Sequence, residues 1–141
     1  MMRVSQNDAL AKTAIEENLN VIIARPFTGL IIANNERLNG ALIFNNYTKQ
    51  NIDMTVLSLG PWSISNARDI ARYVFEKLNC KRVSCQTLTT NFSAINRLMK
   101  LGFELEGTAK DYFPQGDAFF FGIVRSNQKI LRLKNERTPS T

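Results

Sequence analysis

Residues 91–107 read NFSAINRLMKLGFELEG, and both ends of a helix are written into this stretch. The side-chain oxygen of Asn91 is placed to cap a first turn, and Phe92, Ile95, Leu98 and Met99 fall on one helical face. Gly102 stands where a left-handed residue stops a helix, and Phe103 follows to fold back on the last turn. The stretch therefore predicts a helix that passes directly into a strand.

Upstream, the strongest period in the chain runs through Ile64, Ala67, Ile70, Ala71, Val74, Phe75 and Leu78. It predicts a helix over 66–78 with Ser65 as its cap. Between the two helices KRVSCQT, residues 81–87, reads as a strand, and NIDMTVLSL, residues 51–59, as another. The segments 30–33 and 41–44 predict a hairpin around a polar turn containing Asn34, Asn35, Asn39 and Gly40. An opening helix is expected over 7–18, and Pro26 stops the apolar run before the hairpin. Downstream, FELEGTAKDYF and DAFFFGIVRS form two long strands joined at Pro114–Gly116. Phe119, Phe120 and Phe121 stand in succession, so they cannot all face one side of a strand. Strand–helix–strand units of this length imply a right-handed parallel crossover in an otherwise antiparallel sheet. The fold class is α/β (α+β): a mixed, mostly antiparallel central sheet flanked by helices. Residues 1–127 form one domain in this reading, and 128–141 a basic C-terminal tail ending in a disordered RTPST.

The chain has 141 residues, 18 Lys and Arg against 12 Asp and Glu, a net charge of +6 and no histidine. One core is affordable at this length. The charge suits attraction of a polyanionic ligand, but no aromatic RNA-binding signature accompanies it, so nucleic acid is an unexpected partner. Without histidine, Ser–His and Cys–His catalytic pairs are excluded, and two cysteines alone give no structural zinc site. No secretory signal or membrane-length apolar run is visible, which with two thiols predicts a reducing, cytoplasmic setting.

Asn91, Ser93, the KLGF at 100–103 and the EG at 106–107, in that order and spacing, resemble the GNAT N-acetyltransferases. YVFEKLNCKRV, residues 73–83, resembles the segment preceding this motif in enzymes that acetylate ribosomal-protein termini, and Asp117 with AFFFGIVR resembles their closing strand. The nearest likeness is to short phage-encoded GNAT-like proteins. The resemblance covers roughly residues 29–125 and implies the GNAT fold, acetyl-coenzyme A as cosubstrate and a primary amine as acceptor: a protein N-terminus, a lysine or a small amine. It implies that the 51–59 and 81–87 strands splay apart, leaving backbone groups for the pantetheine arm, and that the pyrophosphate meets the start of the next helix. The coenzyme contacts so implied are Leu57, Leu59, Trp62, Ser63, Ile64, Ser65, Asn66, Asn91, Ser93 and Arg97.

Two departures from the family pattern stand out. GPWSISN, residues 60–66, holds one glycine where the phosphate loop usually has two or three, Pro61 removes a donor, and Arg68 is the nearest cation. Trp62 either lines the groove or plugs the gap between the splayed strands. Seven residues beyond Asn91, where many members carry a tyrosine acid, stands Leu98. Tyr112 and Asp53 are the candidates for proton transfer, with Asp111 nearby. The alternative is a catalytically silent GNAT-fold binding or assembly module, such as a phage virion component in the host cytoplasm or particle. A homo-oligomer or an assembly partner is compatible with either.

Overall fold

In a computed structural model of the chain, residues 1–132 are described. Their core is a seven-stranded sheet of order β1-β2-β3-β4-β5-β7-β6. The strands are β1 Arg3–Gln6, β2 Phe27–Ala33, β3 Leu38–Asn45, β4 Asn51–Ser58, β5 Arg82–Leu88, β6 Glu104–Phe113 and β7 Gly116–Val124. Every neighbouring pair is antiparallel except β4 and β5. That pair is joined by the expected crossover through α2, Ile64–Arg72.

Three elements differ from the sequence expectation for local reasons. Strand β1 pairs with β2 from Arg3↔Ala33 to Gln6↔Leu30; its four residues alternate too briefly to announce themselves. Asn39 and Gly40 lie inside β3 rather than in the turn. Helix α2 is capped by Ser63, not Ser65: the Ser63 hydroxyl accepts from the Asn66 N–H, and the Asn66 side chain accepts from the Ser63 N–H, each at 3.0 Å. This reciprocal pair is a capping box with asparagine in the third position. The helix also ends early as an α-helix. Residues Tyr73–Lys77 form a wider π-turn, closed by the Leu78 N–H donating to the Tyr73 carbonyl at 2.9 Å, and it buries Tyr73, Val74 and Phe75 in succession.

The opening stretch folds as its sequence dictates. Helix α3, Phe92–Lys100, begins with the Asn91 side chain accepting from the Ala94 N–H. It ends with Gly102 at φ +101°, the Gly102 N–H donating to Met99 and the Phe103 N–H to Leu98. These two bonds make a Schellman motif, and Phe103 is buried beside it.

The sheet separates two apolar clusters. Helix α1, Asp8–Leu19, packs Ala11, Ala14 and Ile15 on Ile31, Ala41, Ile43 and Leu57 of one face. The other face carries the larger cluster, in which Leu42, Phe44, Met54, Cys85 and Phe121 meet Ile70, Val74 and Leu98. The phenylalanine run divides accordingly. Phe121 is buried with Phe119 edge-on beside it at 6.3 Å, whereas Phe120 stacks edge-on against Tyr112 at 5.0 Å.

Past β7 the chain does not leave the body at residue 127. Ile130 is buried in the larger cluster, and the Gln128 side chain accepts from the Leu131 N–H at 3.1 Å. The packed unit therefore extends beyond the boundary read from composition, because Ile130 enters the core and Leu131 packs against it. The rest of the basic segment and RTPST lie outside the described residues. No helix among the described residues is long and apolar enough to cross a membrane. Cys80 and Cys85 are both buried and free, and burial pushes the Cys85 thiol up to about 12. Thiols so held are unreactive. A disulfide-exchange reagent is expected to label neither cysteine in the native chain and both after denaturation.

Candidate functional site

The parallel pair at the centre of the sheet is not closed along its length. Strands β4 and β5 pair from Asn51↔Arg82 to Met54↔Cys85 and no further. β4 runs on to Ser58 and β5 to Leu88, each held on its outer side by β3 and β7. Beyond Met54 and Cys85 the strands therefore diverge, leaving the inner backbone edges of Thr55–Ser58 and Gln86–Leu88 unpaired with each other.

A cavity of about 480 Å³ occupies this fork. Its lining takes residues from both faces of the sheet, Met54 and Val56 from one and Leu57 with Leu19 of α1 from the other. Most of the lining belongs to the face under α2 and α3, and the fork brings in Leu57 and Leu19 from the other side. Ala67 and Ile70 of α2, and Asn91, Ser93, Ala94 and Arg97 at the start of α3, contribute to its walls, which continue over core residues such as Val74, Phe75, Leu98 and Ile123.

The loop from β4 to α2 is cinched to β3 by Asn39. Its backbone carbonyl accepts from the Leu59 N–H at 2.8 Å and from the Trp62 indole at 3.0 Å, and its side-chain amide donates to the Pro61 carbonyl at 2.9 Å. The indole lies flat on Gly40: a Cβ there would sit 2.6 Å from Trp62. Trp62 thus rests on β3, on the far side of β4 from the fork. It lines the cavity without plugging it.

Of the residues singled out from the sequence, Leu57, Trp62, Asn91, Ser93 and Arg97 line the cavity together. Leu59, Ser63, Ile64, Ser65 and Asn66 do not line it; they form the adjoining loop and helix start. There the capping box occupies the N–H groups of Ser63 and Asn66. Among the described residues, those of Ile64 and Ser65 make no hydrogen bond. Asn66 also donates to the Met2 carbonyl at 3.2 Å, a structural tie to β1. Arg97 reaches from α3 across the fork, its guanidinium donating to the Ser58 hydroxyl at the end of β4. Arg68 lies away from the cavity, with its Nη2 buried and without a hydrogen bond.

The proton-transfer candidates are elsewhere. Asp53 sits on the closed half of the β4–β5 pair, accepting from the Asn46 and Asn51 amides at 2.9 and 3.3 Å. Tyr112 and Asp111 belong to β6, the sheet edge, where the Tyr112 ring packs on Phe113 and Phe120. Neither Asp53 nor Tyr112 lines the cavity. Leu98 does, as part of the core. Sequence reasoning missed Ser58, Gln86, Thr87 and Ala94 as lining residues. The signal was present for Gln86: alternation in VSCQT puts it on the face opposite Cys85, one residue past the last pairing.

A mostly antiparallel sheet with one parallel pair that forks ahead of a helix start is the architecture that the resemblance in the sequence implied. No family model matches the chain, and no curated protein matches it in sequence. Solved structures do match. A chimera of the Vibrio cholerae spermidine N-acetyltransferase SpeG with hSSAT superposes at a TM-score of 0.72 and 14% identity, covering 94% of this chain and 99% of that one. Mutant forms of the spermidine/spermine N-acetyltransferase SpeG from Vibrio cholerae give 0.71 and 13%, covering 94% and 98%. A T. thermophilus protein described as an acetyltransferase gives 0.63 and 18%, covering 81% and 66%. The chain has the GNAT fold.

Proposed function

We propose that the chain is an N-acetyltransferase that moves an acetyl group from acetyl-coenzyme A to a primary amine. One observation carries this reading: β4 and β5 part after Met54 and Cys85, and a cavity lies at the fork ahead of α2. Bound in the fork, acetyl-coenzyme A supplies an acetyl thioester. The free inner edges of β4 and β5 offer amide groups for the pantetheine arm. The Ile64 and Ser65 N–H groups, at the positive end of α2, suit the phosphates, with Arg97 as the cation in reach. The site has two free helix-start donors where a glycine-rich loop would give more, so modest affinity is expected.

Catalysis then rests on position and solvation. The lining is largely aliphatic and offers no histidine, carboxylate or tyrosine. Removal from water disfavours an ammonium over the free amine, so burial itself delivers the neutral nucleophile. An unpaired backbone N–H of β4 beside the thioester would stabilise the developing oxyanion as the C–N bond forms; the C–S bond would then break, coenzyme A leaving as a thiolate that takes the amine's proton directly or through water, and alignment supplies much of the remaining acceleration. Trp62, Leu98 and the poor glycine content favoured a silent assembly module in the sequence. With the indole seated on Gly40 and the fork open, the transferase is the better supported reading.

Titration calorimetry tests the proposal. Coenzyme A is expected to bind with a dissociation constant between micromolar and low millimolar. Ser65→Glu is expected to remove that binding by repulsion, while an acid in the first helical turn leaves stability equal or higher by about 0.3–1 kcal/mol. Absence of both heat and a melting shift at saturating coenzyme A would refute the transferase.

A further inference from the structure

Resting on the transferase reading, we infer that the acceptor is a monoamine with an uncharged, aliphatic body, that polycations are rejected, and that Gln86 orients the amine at the mouth of the cavity. The two sides of the fork differ in chemistry. Ser93, Asn91, Arg97 and the free helix-start N–H groups lie toward α2 and α3, where the coenzyme is placed. On the α1 face the lining consists of Leu19 and Leu57, which belong to the aliphatic cluster under α1, and Gln86. Val83 and Cys85 point into the opposite cluster, so alternation sends Gln86 to this side. Gln86 is half-buried, and its amide makes no hydrogen bond among the described residues.

No lining residue is acidic, and the one charged group in the wall is the Arg97 cation. Of the carboxylates on the α1 side, Asp8, Asp53, Glu106 and Glu16 are held by other partners, and Glu17, exposed on α1, does not line the cavity. Asp53 is held by Asn46 and Asn51. Glu106 takes the Arg82 guanidinium at 2.8 Å, and Glu16 takes Lys12 at 2.7 Å and the Ile23 N–H at 3.0 Å. A single amine entering here sheds its proton and arrives neutral. Each further ammonium of a polyamine would be desolvated on this side with no counter-charge in the lining, in a chain whose net charge is already +6. A neutral amide, by contrast, accepts from an amine N–H without demanding a charge. The fold resembles spermidine enzymes while the mouth lacks what a polycation needs.

The test compares hexylamine and spermidine as acceptors for the full chain with acetyl-coenzyme A, and measures coenzyme A affinity in parallel. Wild-type kcat/KM for hexylamine is expected to exceed that for spermidine by at least about tenfold. Gln86→Glu, nearly isosteric, is expected to cut that ratio by about tenfold or more, with both acceptors measured at saturating coenzyme A. A change in preference is a readout that loss of structure alone would not give. If the wild type binds coenzyme A yet prefers spermidine, or acetylates neither amine, the inference is overturned while coenzyme binding stands. A ratio untouched by Gln86→Glu removes Gln86 from the role. Failure to bind coenzyme A at all overturns the transferase, and this inference with it.

Discussion

Phe121→Ala is expected to destabilise the chain by about 3–5 kcal/mol, a large part of what holds a domain of this size together. Phe121 is 2% exposed. It stands on β7 between Cys85 of β5 and Leu105 of β6, so its ring fills the layer where three strands meet the helices. Truncation removes a ring's worth of apolar burial and leaves a hole that neighbours held in two ladders cannot close. Phe120→Ala is the internal control. That ring lies half-buried on the opposite face against Tyr112, and its loss is expected to cost about 1 kcal/mol, mainly the aromatic contact. Urea denaturation of both variants reads the difference. Equal losses would mean that the phenylalanine run does not alternate as described.

The same run shows how far the sequence spoke for itself. Three phenylalanines in a row said that one must turn away, but not which. The choice is set by β7 pairing with β5 in the register Cys85↔Phe121, a contact between residues far apart in the chain. Where the signal is local, the sequence was sufficient: Asn91 and Gly102 terminate α3 as their chemistry requires, and the 3.6-residue stripe found α2. Where two local answers competed, the sequence misled. Ser63 and Ser65 are equally good caps in isolation, and Ser63 wins because Asn66 answers it and is itself tied to Met2. Asn39 looked like turn chemistry and is instead the buried clip that holds the GPW loop. Its partners lie about twenty residues away and leave no trace in its own neighbourhood. For the site, the residues on α3 were legible because they sit on a recognisable helix start. Gln86 and Ser58 were not, because a strand residue becomes a wall of the cavity only where the neighbouring strand departs, and that departure point is a property of the whole sheet.

Because the fork carries the functional proposal, filling it should have the largest effect on activity. Ala94→Trp is expected to lower coenzyme A affinity at least about 100-fold, equivalent to about 3 kcal/mol, and to abolish acetyl transfer. Ala94 is half-buried in the first turn of α3, and it contributes to the cap only through its backbone N–H, which the substitution keeps. An indole there, able to bury about 150–250 Å² against apolar neighbours, enters the cavity whose lining Ala94 shares with Val56, Leu98 and Thr87. Filling an apolar cavity does not require the surrounding ladders to move, so the melting temperature is expected to stay level or rise. Ala94→Ser, which adds one hydroxyl, should bind coenzyme A within about threefold of the wild type, ~0.6 kcal/mol. The pairing of outcomes is what discriminates. A folded Ala94→Trp chain that has lost the coenzyme places the ligand between β4 and β5. The same folded chain binding coenzyme A as well as the wild type would put the ligand elsewhere, and the open fork would then be a packing defect of the sheet with no part in acetyl transfer.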